Sequence, residues 1–160
     1  MQIRRRARIV ALQALFEIDT AQHDPTVTLR NRLEDTDLPD AGVAFATELL
    51  TGTLQLLAVL DGIIQRIAPE WPLAQMAPVD RNILRLATYE ILRVSDTPPK
   101  VAINEAVEIA KLFGSDSSSR FVNGVLGTIF AQRQDLMTVV ATSLPAPRPA
   151  PGTPTPGEQA

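Results

Sequence analysis

Apolar residues recur through most of the chain at the spacing of helices. Residues 4–21 place Ile9, Leu12 and Phe16 at i, i+3 and i+7, with Leu15 widening the face. Arg6, Gln13 and Glu17 share a narrow polar stripe on the same helix. Gln22 to Pro25 breaks the pattern, residues 26–35 predict a short second helix, and Asp35 to Gly42 reads as a polar loop. The clearest period lies in 43–68, where Phe45, Leu49, Thr53, Leu56, Leu60, Ile63 and Ile67 are spaced 4, 4, 3, 4, 3 and 4. That predicts one long helix, or two bent near Gly52. Pro69, Pro72 and Pro78 then bound a connector that holds Trp71, placed to join two helical halves.

The second half repeats the pattern. Residues 79–94 predict a helix with Pro78 and Asp80 at its start and Ile83, Leu84, Ala87 and Ile91 on its buried face. Residues 100–113 put Ala102, Ala106, Ile109, Ala110 and Phe113 on one side, with Gly114 suited to the left-handed residue after the helix end. Ser115 to Ser118 offers caps for a helix over 119–132, striped by Phe121, Val125 and Ile129. A weaker turn or two is expected from Leu136 to Thr142. From Pro145 onward Pro, Ala, Gly and Thr dominate, with too little apolar surface to offset ordering entropy. The reading is all-α, about seven helices over residues 1–144, followed by a disordered tail over 145–160.

Composition narrows the function. The 160 residues suffice for one domain with a sizeable core, and aromatics are only 4 %, so that core is built of Leu, Ile, Val and Ala. There is no cysteine, which excludes disulfides, thiol catalysis and Cys-ligated metals. No uninterrupted apolar run suggests a signal peptide or a membrane span, so a cytoplasmic protein without membrane contact is expected. The net charge of −3 hides an asymmetry: Arg4, Arg5, Arg6 and Arg8 stand together, and the remainder is 11 basic against 18 acidic side chains.

Catalytic chemistry finds little support. The single histidine, His23, sits in a turn with no Ser or Cys partner in sight. Asp35, Asp37 and Asp40 lack calcium-loop spacing, and no glycine-rich phosphate loop is present. No enzyme, metal or cofactor is expected. The arginine cluster carries more information. A helix start holds about half a positive charge, so four guanidinium groups there oppose the dipole and each other. A local rule broken without visible compensation points to a site. Arginine grips phosphates in bidentate fashion and stacks on bases, which suits single-stranded RNA. Arg120-Phe121-Val122-Asn123-Gly124 is the second candidate, with Asn123 and Gly124 readable either as helix packing or as a ligand surface. Spacing alone would put Phe121 in the core. Asn104 and Glu105 read as polar links between helices, and Glu108 with Lys111 as an i, i+3 pair.

Three segments together resemble the NusB family of transcription antitermination factors. They are Arg4-Arg5-Arg6-Ala7-Arg8 followed by Ala11 to Phe16; Val79 to Ala87 with Tyr89-Glu90; and Lys100 to Lys111, closed by Arg120 to Leu126. The resemblance spans about residues 3 to 132. It implies two packed helical bundles that bind single-stranded boxA RNA of ribosomal transcripts, together with the ribosomal protein NusE, within an RNA polymerase antitermination complex. By position it implies RNA contacts from Arg4, Arg5, Arg6, Arg8, Gln13, Arg120 and Phe121. It implies a NusE-facing surface at Asp80, with Arg85 and Glu90 beside it. Gly127 stands where members often carry an acid, and Ser117 to Ser119 where they often carry charge. The rival expectation is a helical adaptor that binds proteins and no RNA.

Overall fold

The computed structural model describes residues 2–144; Met1 and the expected tail over 145–160 lie outside the described residues. The chain forms α1 (Ile3–Ala21), α2 (Pro25–Glu34), α3 (Asp40–Gln55), α4 (Leu57–Ile67), α5 (Pro78–Arg93), α6 (Pro99–Phe113), α7 (Ser118–Ala131) and α8 (Arg133–Ser143). One 3₁₀ turn, Leu73–Gln75, lies in the connector before α5. That makes eight α-helices and no strand among the described residues. The count exceeds the expected seven because α8, predicted as a turn or two, is a full helix anchored by buried Leu136 and Val140.

Local chemistry explains most boundaries. Proline opens α2, α5 and α6 at positions where its missing N–H is no loss. Asp24 caps α2 by accepting from the Val27 N–H at 3.0 Å. At the end of α1 the left-handed residue is Gln22, with φ 55°. Gly114, expected in that role, is extended instead. Its lack of a side chain serves packing, because a Cβ there would stand 2.4 Å from the Ser118 hydroxyl oxygen. That hydroxyl does not cap α7 as expected; it accepts from the Ser115 N–H at 2.9 Å.

Helix α5 is the shared axis. It packs against one group of helices, α1 and α3, and against a second, α4, α6, α7 and α8. Its face is apolar at Ile83, Leu84, Ala87 and Ile91, all buried as expected. The chain crosses from one group to the other by a bend of 76° between α3 and α4. The break falls at Leu56, not at Gly52. Gly52 is buried because the Tyr89 ring lies on it; a Cβ there would stand 2.1 Å from Tyr89 Cζ. No single helix among the described residues is long and apolar enough to cross a membrane.

Two predicted core aromatics are not core. Phe16 is 37 % exposed and Phe113 41 %. The buried side of α1 runs through Ala7, Val10, Ala11, Leu12, Ala14 and Leu15, which face α3 and α5. Phe16 lies about 100° round the helix from Leu15 and reaches the rim.

Candidate nucleic-acid interface

The arginines at the start of α1 have partners that lie far away in the chain. Arg4 pairs with Asp96 at 2.8 Å, in the loop before α6, and donates to the Thr97 hydroxyl at 3.2 Å. Its guanidinium lies 4.4 Å from the centre of the Phe45 ring. Arg5 makes a two-point contact with Glu105 on α6, at 2.8 and 3.0 Å. Arg6 donates to the Asp37 carbonyl oxygen. The compensation that the sequence hides is therefore present: acids from other elements neutralise a helix start that has none in its own first turn.

These four groups divide by burial. Arg4 is exposed, and Arg5 and Arg6 are half-buried. Arg8 is only 8 % exposed and faces Glu90, which is 3 % exposed. The pair is a fork of bonds at 2.6, 2.9 and 3.2 Å, with Glu105 a further 3.8 Å away. This corrects the expected role of both residues: neither Arg8 nor Glu90 reaches a partner surface, because each holds the other inside the fold. Arg85 is corrected likewise. At 7 % exposed it binds Asp61 at 2.7 and 2.8 Å and Asn82 at 3.0 Å, with Asp19 at 3.5 Å. It ties α1, α4 and α5 together. Arg81 completes that network through Asp19 at 2.7 Å.

The remaining candidates lie nearer the surface. Asp80 is half-buried in the first turn of α5, where the helix dipole favours an acid. Gln13 lines an open hollow with Phe16, Arg32, Val79 and Phe113. Arg120 is exposed and has no carboxylate partner among the described residues. Phe121 is half-buried, and its ring meets Trp71 edge to face with centres 6.2 Å apart. Asn123, Gly124 and Gly127 face outward, and a side chain at either glycine would meet nothing within 4 Å. The packing reading of Asn123 and Gly124 is thereby removed. His23 is exposed beside Glu17, with 2.8 Å between Nδ1 and Oε1.

Sequence reasoning missed Asp19, Asp61 and Asp96 as partners, because no local pattern links them to arginines 24 to 92 residues away. It named Glu105, but not Arg5 as its partner. The acids' electrostatics give a pH prediction. Burial pushes the Asp19 carboxyl up, but bonds from Arg81 and Asn82 and the nearby Arg charges outweigh it and hold the group low. Bonding to Arg5 holds Glu105 low as well, against burial. Both ionise more readily folded than unfolded, so their contribution is complete above the ordinary carboxyl range, about pH 4, and is lost as pH falls through the folded values. The melting temperature will change little between about pH 7 and 5 and drop below about 4. Scanning calorimetry across that range checks this; a melting temperature that rises on acidification would reject it.

Two helical groups around a shared axis, with guanidinium groups and aromatic rings at the surface, define an all-helical binding protein. The chain belongs to the NusB family: the model described as NusB family matches residues 5–130. It is 48 % identical over 135 residues to the transcription antitermination protein NusB of Roseiflexus sp. (strain RS-1), covering 83 % of this chain and 95 % of that one. It is 50 % identical over 128 residues to the protein of the same name in Chloroflexus aggregans (strain MD-66 / DSM 9485), covering 79 % and 85 %. Among solved structures, T. maritima NusB superposes with a TM-score of 0.77 at 36 % identity, covering 84 % of this chain and 96 % of that one. A complex of the antitermination factors NusB and NusE with double-stranded RNA shares the fold, with a TM-score of 0.75 at 23 % identity over 82 % of this chain and 98 % of that one.

Proposed function

We propose that this chain acts in transcription antitermination by binding single-stranded boxA RNA of ribosomal transcripts together with NusE, in a complex that joins RNA polymerase. The observation that carries the reading is the run Arg4, Arg5 and Arg6, which keeps solvent-facing surface at the start of α1. The Arg4–Asp96 pair lies toward solvent, where such pairs contribute roughly 0–1 kcal/mol, so a phosphate can replace that carboxylate with little loss; the Arg5–Glu105 pair is partly buried on its Glu105 side, and Arg5 offers RNA only its solvent-facing edge. Gln13, Arg120 and Phe121 extend the RNA contacts from α1 to α7. Arg8 acts by holding α1 in place.

Four cations on a single strand predict that log Kd varies with log salt with a slope magnitude of about 3. Arg6→Ala with Arg120→Ala is the cleanest variant, because neither residue has a carboxylate partner among the described residues. It will weaken binding and bring the slope magnitude to about 1.5, since two contacts are lost. The measurement is a titration of boxA RNA against a scrambled strand at several salt concentrations, with and without NusE. Unchanged binding by the double variant removes these cations from the site.

Asp80 supplies the proposed NusE contact. Asp80→Lys will weaken NusE binding by calorimetry, while the reversal removes a favourable dipole interaction and adds an unfavourable one, each about 0.3–1 kcal/mol, at a half-buried position. Unchanged affinity rejects the assignment. The adaptor reading has one observation in its favour, the exposed Phe16 and Phe113 around an open hollow. A salt slope near zero would favour it.

A further inference from the structure

A groove of about 370 Å³ runs between the connector before α5 and the start of α7. Trp71 and Phe121 form its aromatic walls, Met76 and Ala77 lie along it, and Arg120 and Ser117 stand at the α7 side. We propose that this groove is a nucleobase-stacking site, with Trp71 as the platform, Phe121 as the second ring and Arg120 as the phosphate contact. The proposal rests on the RNA reading above, which already includes Arg120 and Phe121, and adds to it Trp71 and a stacking role that the family resemblance did not supply.

Trp71 is the only tryptophan of the chain and is 56 % exposed. An indole left in water forgoes a large apolar burial that a core position would provide. Loose packing does not explain it, because the segment that carries it is held firmly. The Gln65 amide donates to the carbonyl oxygens of Ala68 and Trp71 at 3.2 and 3.1 Å, and accepts from the Leu73 N–H at 3.0 Å. The Trp71 N–H donates to the Ala68 carbonyl at 3.2 Å. Pro69 and Pro72 fix φ on either side. One glutamine and two prolines thus hold the backbone that carries the exposed ring, so a ligand that stacks on the ring need not order the loop.

The chemistry of the walls selects the occupant. The edge-to-face contact between Trp71 and Phe121 uses at most one face of one ring, so aromatic surface remains free. No acidic side chain lines the groove, and Arg120 has no carboxylate partner among the described residues. Flat apolar walls beside an unpaired cation suit a base with its phosphate, the combination that single-strand binders use. The groove also adjoins the remaining candidate surface: Ala77 lines it, while Val79, two residues on, lines the hollow that holds Gln13.

The sole tryptophan is its own reporter. The full chain is titrated with single-stranded boxA RNA, and binding is followed both by anisotropy of a labelled strand and by Trp71 emission with an unlabelled one. Trp71 emission will be quenched with the same midpoint as the anisotropy change. Trp71→Ala will raise Kd about tenfold, the loss expected for one stacked base, without lowering the melting temperature. Trp71→Phe will keep most of the affinity, and Gln65→Ala will weaken binding less than Trp71→Ala does. A strand lacking bases will bind without quenching. If RNA binds while emission and the Trp71→Ala affinity stay unchanged, the groove is not the site and the RNA reading stands without it. If no RNA binds at all, both fall together. Emission that responds to chain concentration or to NusE, and not to RNA, assigns the groove to a protein contact and overturns the proposal.

Discussion

Arg8→Met will destabilise the fold by about 3–5 kcal/mol, and adding Glu90→Leu will return most of that loss. The single substitution strands a carboxylate that is 3 % exposed and whose only ion-pair partner among the described residues is Arg8. The double variant leaves no charge stranded and fills the same space with apolar atoms. Glu90→Leu alone will be milder than Arg8→Met, because Arg8 keeps Glu105 at 3.8 Å. Urea unfolding of the two single variants and the double gives a closed cycle, and the coupling energy should exceed about 2 kcal/mol. If Arg8→Met unfolds at the same urea concentration as the parent, the pair does not hold α1 to α5. RNA affinity in the double variant is a second readout: on our reading Arg8 positions the helix and touches no phosphate, so affinity will be kept.

Leu84→Ala will lower stability by about 3–4 kcal/mol, roughly 10 °C in melting temperature for a domain of this size. Leu84 is fully buried at the middle of α5, and α5 is packed against six other helices. A helix held from so many directions cannot shift to fill the hole, and the cost of such a truncation grows with the cavity that remains. Leu112→Ala is the control. Leu112 is exposed on α6, and its loss should stay within about 0.5 kcal/mol. Equal effects from the two variants would mean that α5 is not the axis of the core.

Much of the helical layout was legible because its signals are local. Pro78 marks a helix start through its fixed φ, and the spacing from Phe45 to Ile63 survives as the buried side of α3 and α4, while Pro25 and Pro99 each open a helix one residue before the expected start. The errors share one cause. Phe16, Phe113 and the bend at Leu56 depend on which neighbour covers which side of a helix, and a period of 3.6 names a face without naming its cover. Gly52 shows this closely: its reason for being glycine is the ring of Tyr89, 37 positions further along the chain.

The candidate site divides the same way. The residues alone identified a cationic helix start, a polar α7 motif and a likeness to the NusB family, since side-chain type and order are all those inferences need. Only the tertiary structure decided which cations face water. Arg4, Arg5, Arg6 and Arg8 are near-equivalent as letters, yet Arg8 meets a carboxylate 82 residues away in the buried interior. Charge in a protein is settled by what lies within a few ångströms, and a sequence does not list distances between its own distant parts.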